Sequence, residues 1–228
     1  MNQFFFGTYP YIALAVLVIG SIARYERDPF TWKSSSSQFL RRKQLIWGSI
    51  MFHAGVLTIF GGHLVGLLTP LSVWHALGVG SEAKQMIAIV MGGVAGVIML
   101  IGGLMLAHRR LFDARVRATS SFADTAIILL LIVQVILGLM TIVVSLGHLD
   151  GKEMLKFMAW ASGIFLFDGK AASYIADVNI LFKLHIVLGL TIFLVFPFTR
   201  LVHMLSAPVR FLWRPGFQVV RTRKGKKS

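Results

Sequence analysis

The sequence predicts an all-α integral membrane protein, a bundle of five transmembrane helices with its N-terminus outside and its C-terminus in the cytoplasm. Three observations predict it. The 228 residues are 56% hydrophobic and only 14% charged, against about 25% charged in an average soluble domain. Five stretches each supply the roughly 20 mostly apolar residues that crossing a bilayer requires. The basic residues gather in alternate connections between those stretches, which is how cytoplasmic loops are marked.

The spans run over about Phe4–Ala23, Leu45–Leu68, Met86–Ala107, Ala123–Leu146 and Val178–Leu205. Pro70 closes the second and Arg109–Arg110 the third. Pro197 should kink the fifth, because its ring removes a backbone donor and crowds the preceding turn. The first connection carries six Lys or Arg residues, the third four, and the chain from Arg200 onward eight, so 18 of the 23 basic residues share one side. The other side holds Lys84, Lys152, Lys156, Lys170 and Lys183. This asymmetry sets the orientation and accounts for the net charge of +14 without nucleic acid. The N-terminus has no basic region and no small-residue cleavage site, so no removable signal peptide is expected. Residues 1–206 form the membrane domain and 207–228 a basic cytoplasmic tail, whose Phe211–Arg223 segment suits either the inner leaflet or a cytoplasmic partner. The apolar Glu153–Phe167 segment should be a surface-lying helix outside the membrane.

There is no cysteine. Thiolate-bound haem and Cys-ligated iron–sulfur clusters are therefore excluded, and a redox metal must use nitrogen or oxygen ligands. Ionisable residues inside spans are functional hypotheses by default, and four of the seven histidines lie there. His53 and His63 fall on the second span, His185 and His203 on the fifth. The second span runs inside to outside and the fifth runs back. His53 and His203 therefore share the cytoplasmic level, and His63 and His185 the outer one. Two level histidine pairs between antiparallel helices suit two six-coordinate b-type haems, with the imidazoles as axial ligands. Such iron has no open position, so it carries electrons. The spacing supports this only in part. On one helix His185 and His203 would be 18 residues and about 27 Å apart, whereas His53 and His63 are 10 residues and about 15 Å apart.

A single intramembrane histidine is usually a hydrogen-bonded packing residue; four in two level pairs are not. His75, His108 and His148 lie at or beyond span ends and read as interface residues. Lys84 reads on generic grounds as a snorkelling lysine of the second outer connection. Gly55, Gly61, Gly62 and Gly66 beside the second-span histidines, and Gly189 after His185, admit either a flat macrocycle or a neighbouring helix. The glycines of the third span read as helix packing.

With these residues in place, the chain resembles the gamma subunit family of the membrane-bound respiratory nitrate reductases. The likeness runs through FFFGTYPYIA, FHAGVLTIFGGHLVGLLTP, RRLFDARVRAT, LDGKEMLKFMAWA, KLHIVLG and FPFTRLVH, in order and over nearly the whole chain. The resemblance implies a dihaem cytochrome b of the bacterial inner membrane. It would oxidise menaquinol or ubiquinol near the outer face and pass electrons inward to an iron–sulfur subunit and a molybdenum catalytic subunit that reduces nitrate. It implies His53 and His203 as ligands of the inner haem and His63 and His185 of the outer. It also implies Lys84 and Gly62 as quinol-site residues. The segment between Pro70 and Glu82 departs from the family pattern. Two other readings stay open: the cytochrome b subunit of another quinone-linked complex, and a transporter with a histidine relay. Few intramembrane acids and no repeated halves count against the second. Arg109, Arg110 and the tail are candidates for docking the cytoplasmic partners.

Overall fold

The computed structural model describes residues 1–32 and 40–206. A π-helical turn at Phe4–Thr8 leads into α1 (Tyr9–Arg27), and a 3-10 turn at Pro29–Thr31 follows it. Next come α2 (Arg42–Leu68), the short α3 (Leu71–Ala76) and α4 (Ser81–Phe112). Then α5 (Ala114–Ala118) connects to α6 (Phe122–Ser145). The long connection folds as α7 (Lys152–Phe165) and α8 (Ala171–Tyr174) before α9 (Ile180–Val195). Among the described residues, five helices are long and apolar enough to cross a membrane, and each contains the core of one expected span. The basic tail, with its Phe211–Arg223 segment, lies outside the described residues.

Local chemistry sets the helix boundaries. Ser121 and Asp124 form a reciprocal capping box at the start of α6, satisfying donors that the first turn leaves unpaired. Asp113 caps α5, and Asn179 accepts from Leu181 to start α9. Arg109 and Arg110 stand in the last turn of α4, at the end of the third span. The helix continues to Phe112, and cations there suit the negative end of its dipole.

Helix α2 packs on α4, α4 on α6, and α9 on both α6 and α1. The α2–α4 crossing is very close. A Cβ at Gly102 would lie 2.4 Å from the Phe52 nitrogen, and one at Gly55 2.7 Å from the Ala95 oxygen. Phe52, Met99, Ile128, Ile132 and Val135 fill the space between α2, α4 and α6. At the end bearing the N-terminus, α7 is no free surface helix. Trp160, Ala161 and Ile164 pack on Phe6, Ala171 and Ala172, and the Trp160 indole donates to the Phe6 carbonyl. The apolar side of α7 finds a protein partner there, so this helix caps the bundle.

At the opposite end the expected long fifth helix is corrected. α9 stops at Val195, Phe196–Phe198 and Arg200–Ser206 are 3-10 turns, and Thr199 between them is extended. Pro197 cannot donate to the helix, and the carbonyls exposed by the break are taken by α1. The Arg24 guanidinium donates to the Pro197 oxygen at 2.7 Å and to the Thr199 oxygen at 2.8 Å. Gly20 lets α1 come this near, since a Cβ there would lie 2.9 Å from the Pro197 ring. His203 therefore sits on a redirected segment, and the rise calculated for a single straight helix from His185 to His203 does not apply.

Candidate functional site

The four intramembrane histidines come together as two pairs. The His53 and His203 ring centroids are 6.2 Å apart, and those of His63 and His185 are 6.1 Å apart. Each pair joins α2, which packs on α4, to the α9 segment, which packs on α1 and α6. The imidazoles thus face one another between the two halves of the bundle.

Three of the rings are oriented by backbone. His53 Nδ1 lies 2.8 Å from the Ser49 carbonyl, His63 Nδ1 2.8 Å from the Ile59 carbonyl, and His203 Nδ1 2.5 Å from the Arg200 carbonyl. A carbonyl only accepts, so Nδ1 carries the proton in each, and Nε2 keeps a free lone pair. This is how proteins commonly prepare a histidine to bind metal. His185 differs. Its Nδ1 is buried without a hydrogen-bond partner, while the Gln134 amide donates to its carbonyl at 3.1 Å and stands 3.4 Å from its Nε2.

Two imidazoles on opposite sides of one metal, each nitrogen about 2 Å from it, place their ring centroids about 6 Å apart. Both pairs have that separation. Among the described residues no group of three or more His, Cys, Asp or Glu side chains could hold an ion. Two histidines alone are too few for a bare transition metal, whereas a porphyrin brings four in-plane nitrogens of its own. The backbone beside the outer pair also leaves room. A Cβ at Gly61, Gly62 or Gly66 would meet nothing within 4 Å, in contrast to the tightly opposed Gly55 on the same helix. The residues present fit two bis-histidine haems.

Lys84 lies in the first turn of α4 and is only 4% exposed. Its amine donates to the Gly66 carbonyl at 2.7 Å, lies 2.7 Å from Met158 Sδ, and stands 5.0 Å over the Trp74 ring. The snorkelling reading is therefore corrected. Gly66 is in the last turn of α2, where carbonyls lack helical partners and the dipole favours a cation. This contact also brings Lys84 within one helical turn of His63 in sequence on α2. Gly62 lies beside His63 with its Cα face exposed.

The remaining histidines do not join these pairs. His148 Nδ1 donates to the Val144 carbonyl at 3.2 Å, and the exposed His108 stands 3.3 Å from the Gln44 amide. His75 ends α3, exposed. Two docking candidates are engaged internally. Arg109 is 3% exposed and donates to the Leu40 carbonyl, and Arg110 pairs with Asp124 at 3.4 Å. Arg200, near His203, stands 3.7 Å from the same carboxylate. Just outside the spans, Lys156 bonds both Glu153 and Asp177. The Asp177 bond raises the Lys156 amine above its ordinary value and holds the Asp177 carboxyl below its own.

Sequence reasoning missed Gln134, Trp74 and Met158. Gln134 carried a signal, since it is the only side-chain amide in a span of mean hydropathy 3.1. Trp74 and Met158 carried none.

The chain matches the family model for the nitrate reductase gamma subunit over residues 2–223. It is 48% identical over 223 residues to the respiratory nitrate reductase 1 gamma chain of Escherichia coli K12, covering 98% of each. It is 47% identical to the respiratory nitrate reductase 2 gamma chain of the same organism, again over 98% of each. It is 38% identical to the nitrate reductase gamma chain of Bacillus subtilis 168, over 93% of this chain and 95% of that one. A membrane bundle that pairs its four intramembrane histidines, with this likeness end to end, belongs to the nitrate reductase gamma subunit family.

Proposed function

We propose that this gamma subunit holds two b-type haems, an inner one on His53 and His203 and an outer one on His63 and His185, and oxidises quinol beside the outer one. The single observation that carries the reading is the pairing of four imidazoles at about one bis-histidine separation, three with Nδ1 already committed to backbone. When bound, the haems supply one-electron carriage between the two levels of the bundle.

The protein's own residues supply the rest. Carbonyls of Ser49, Ile59 and Arg200 hold three rings in the ligating tautomer, and Arg24 fixes the segment that presents His203. Lys84 is a fixed, buried donor at the outer end, suited to bind a quinol oxygen, and Gly62 leaves space beside His63 for a ring to approach. Protons released there leave on the outer side, while electrons go to the partners at the cytoplasmic end. As a gamma chain it works within a multisubunit nitrate reductase; the iron–sulfur and molybdenum subunits are the partners assigned to it here. The N-out, C-in orientation in a bacterial cytoplasmic membrane follows from the basic residues at the Arg24, Arg110 and Arg200 end.

Haem counting tests the assignment. The purified complex should contain two spectrally distinct haems per gamma chain, His63→Ala and His203→Ala each removing a different one. Quinol-dependent nitrate reduction should fail in both. Two haems and full activity in either variant would refute the ligand assignment.

A further inference from the structure

Gln134 is a half-buried amide in the most apolar of the five candidate spans. Its Nε2 donates to the His185 carbonyl and reaches His185 Nε2 at 3.4 Å. Two polar atoms in this contact are left over. Gln134 Oε1, an acceptor, and His185 Nδ1 are both buried with no hydrogen-bond partner. The backbone carbonyl fixes which end of the amide is nitrogen, so Oε1 is the end without a donor.

The other three histidines satisfy Nδ1 on their own local backbone; His185 does not. Its ring lies over Gly138, one turn beyond Gln134 on α6, where a Cβ would come 3.1 Å from Cε1 and 3.6 Å from Nδ1. Gly189, one turn beyond His185, keeps α9 open around the amide, where a Cβ would come 3.2 Å from Gln134 Nε2. Committing Nε2 to a metal removes the acceptor that the Gln134 N–H faces and obliges Nδ1 to keep its proton. Gln134 Oε1 is an orphaned acceptor on the side chain that already contacts this imidazole, and reorienting the amide or the ring would join the two. An unpaired donor and acceptor both cost free energy in an apolar interior, and one bond removes both costs.

We infer that Gln134 is the positioning residue for His185, its amide oxygen accepting the Nδ1 proton and so fixing the ring and tuning the outer haem; this rests on the haem assignment above. A hydrogen bond at Nδ1 makes the imidazole a stronger donor, favours ferric over ferrous iron and lowers the reduction potential.

The test is a redox titration of the whole complex carrying Gln134→Leu or Gln134→Glu, with haems counted. The outer haem is identified as the one missing in His63→Ala. In Gln134→Leu the ferric-to-ferrous ratio of the outer haem at fixed potential should fall about tenfold, an upward shift of about 59 mV for one electron, with the inner haem unchanged. Gln134→Glu keeps an acceptor oxygen and should bring the outer potential back to the wild-type value or below. Loss of the outer haem alone in the leucine variant, restored in the glutamate variant, also supports the inference. Unchanged potentials in Gln134→Leu, equal shifts of both haems, or no recovery in Gln134→Glu overturn it. A wild-type complex without two haems would instead sink the haem assignment.

Discussion

Gly102→Ala tests the frame that holds both α2 histidines. The added methyl would sit 2.4 Å from the Phe52 nitrogen, 2.8 Å from the Gly48 oxygen and 3.0 Å from the Met51 carbonyl carbon. All three are backbone atoms, so no side chain can swing aside. Contact distances of about 3.5 Å return only if α2 and α4 part by about 1 Å, and a gap of that size forfeits a quarter to a half of each dispersion contact it opens. The contacts at risk are those of Phe52 and Met99, with Val56, Leu100 and Leu106 against them. Overpacking costs about 1–3 kcal/mol in ordinary cores, and rigid atoms on both sides place this site near 3. At about 2–4 °C per kcal/mol for a chain of this size, melting should fall by about 6–12 °C.

Gly92→Ala is the control, because its methyl would meet only Ile142 Cδ1 at 3.7 Å. It should be neutral or stabilising, by up to about 1 kcal/mol from reduced chain freedom and better helix propensity. Gly55→Ala should behave like Gly102→Ala, its methyl lying 2.6 Å from Met99 Cβ and 2.7 Å from the Ala95 oxygen. The double variant should cost less than the two singles together, since one separation of the helices relieves both clashes. Thermal melts of the detergent-purified complex, followed by near-ultraviolet circular dichroism, provide the assay. A fall below about 2 °C for Gly102→Ala, under about 1 kcal/mol, would refute the close crossing, and strict additivity would refute the shared separation.

Other outcomes follow from single contacts. Arg24→Ala leaves two carbonyls of the His203 segment without their charged donor and should cost about 1.5–3 kcal/mol; the inner haem should be lost before the outer when the haems are counted after mild heating. Arg24→Lys should recover only part of that, a point charge being a poor match for two carbonyls. Lys84→Met removes a buried amine for an apolar chain of similar length, so stability should hold or rise. Haem content should stay at wild-type level while quinol-dependent turnover falls at least about tenfold, as loss of one charge-assisted hydrogen bond implies; unchanged turnover would remove Lys84 from the quinol site. The Lys156–Asp177 pair gives a pH dependence. Asp177 is held low, so its contribution is complete above about pH 3.9 and is lost as the pH falls through its lower folded value. Lys156 is held high, so its contribution is complete below about pH 10.4 and is lost as the pH rises through its raised folded value. The loss of melting temperature caused by Lys156→Ala should therefore be flat between about pH 5 and 9 and shrink below about pH 4.

The spans and the histidine levels were legible for one physical reason: in a bilayer each polar group is costly, so its position in an apolar run carries information that a surface position lacks. Antiparallel alternation then decided which histidines share a level. The same logic applies to Gln134, whose amide stands alone among Ile, Leu and Val and was passed over all the same. What stayed hidden is which partner satisfies each polar group. Lys84 read as a snorkelling lysine because hydropathy cannot see that α2 ends under it with an unpaired carbonyl. The fifth span read as one helix because Pro197 predicts a kink, while the full break depends on Arg24, far away in sequence, donating to the freed Pro197 and Thr199 carbonyls. The two histidines of that span therefore owe their positions to different elements, His185 to a regular helix under Gly138 and Gln134, His203 to a proline break held by α1. Perturbing α1 and perturbing α6 should accordingly separate the two haem sites, which the periodicity of a single helix would have coupled.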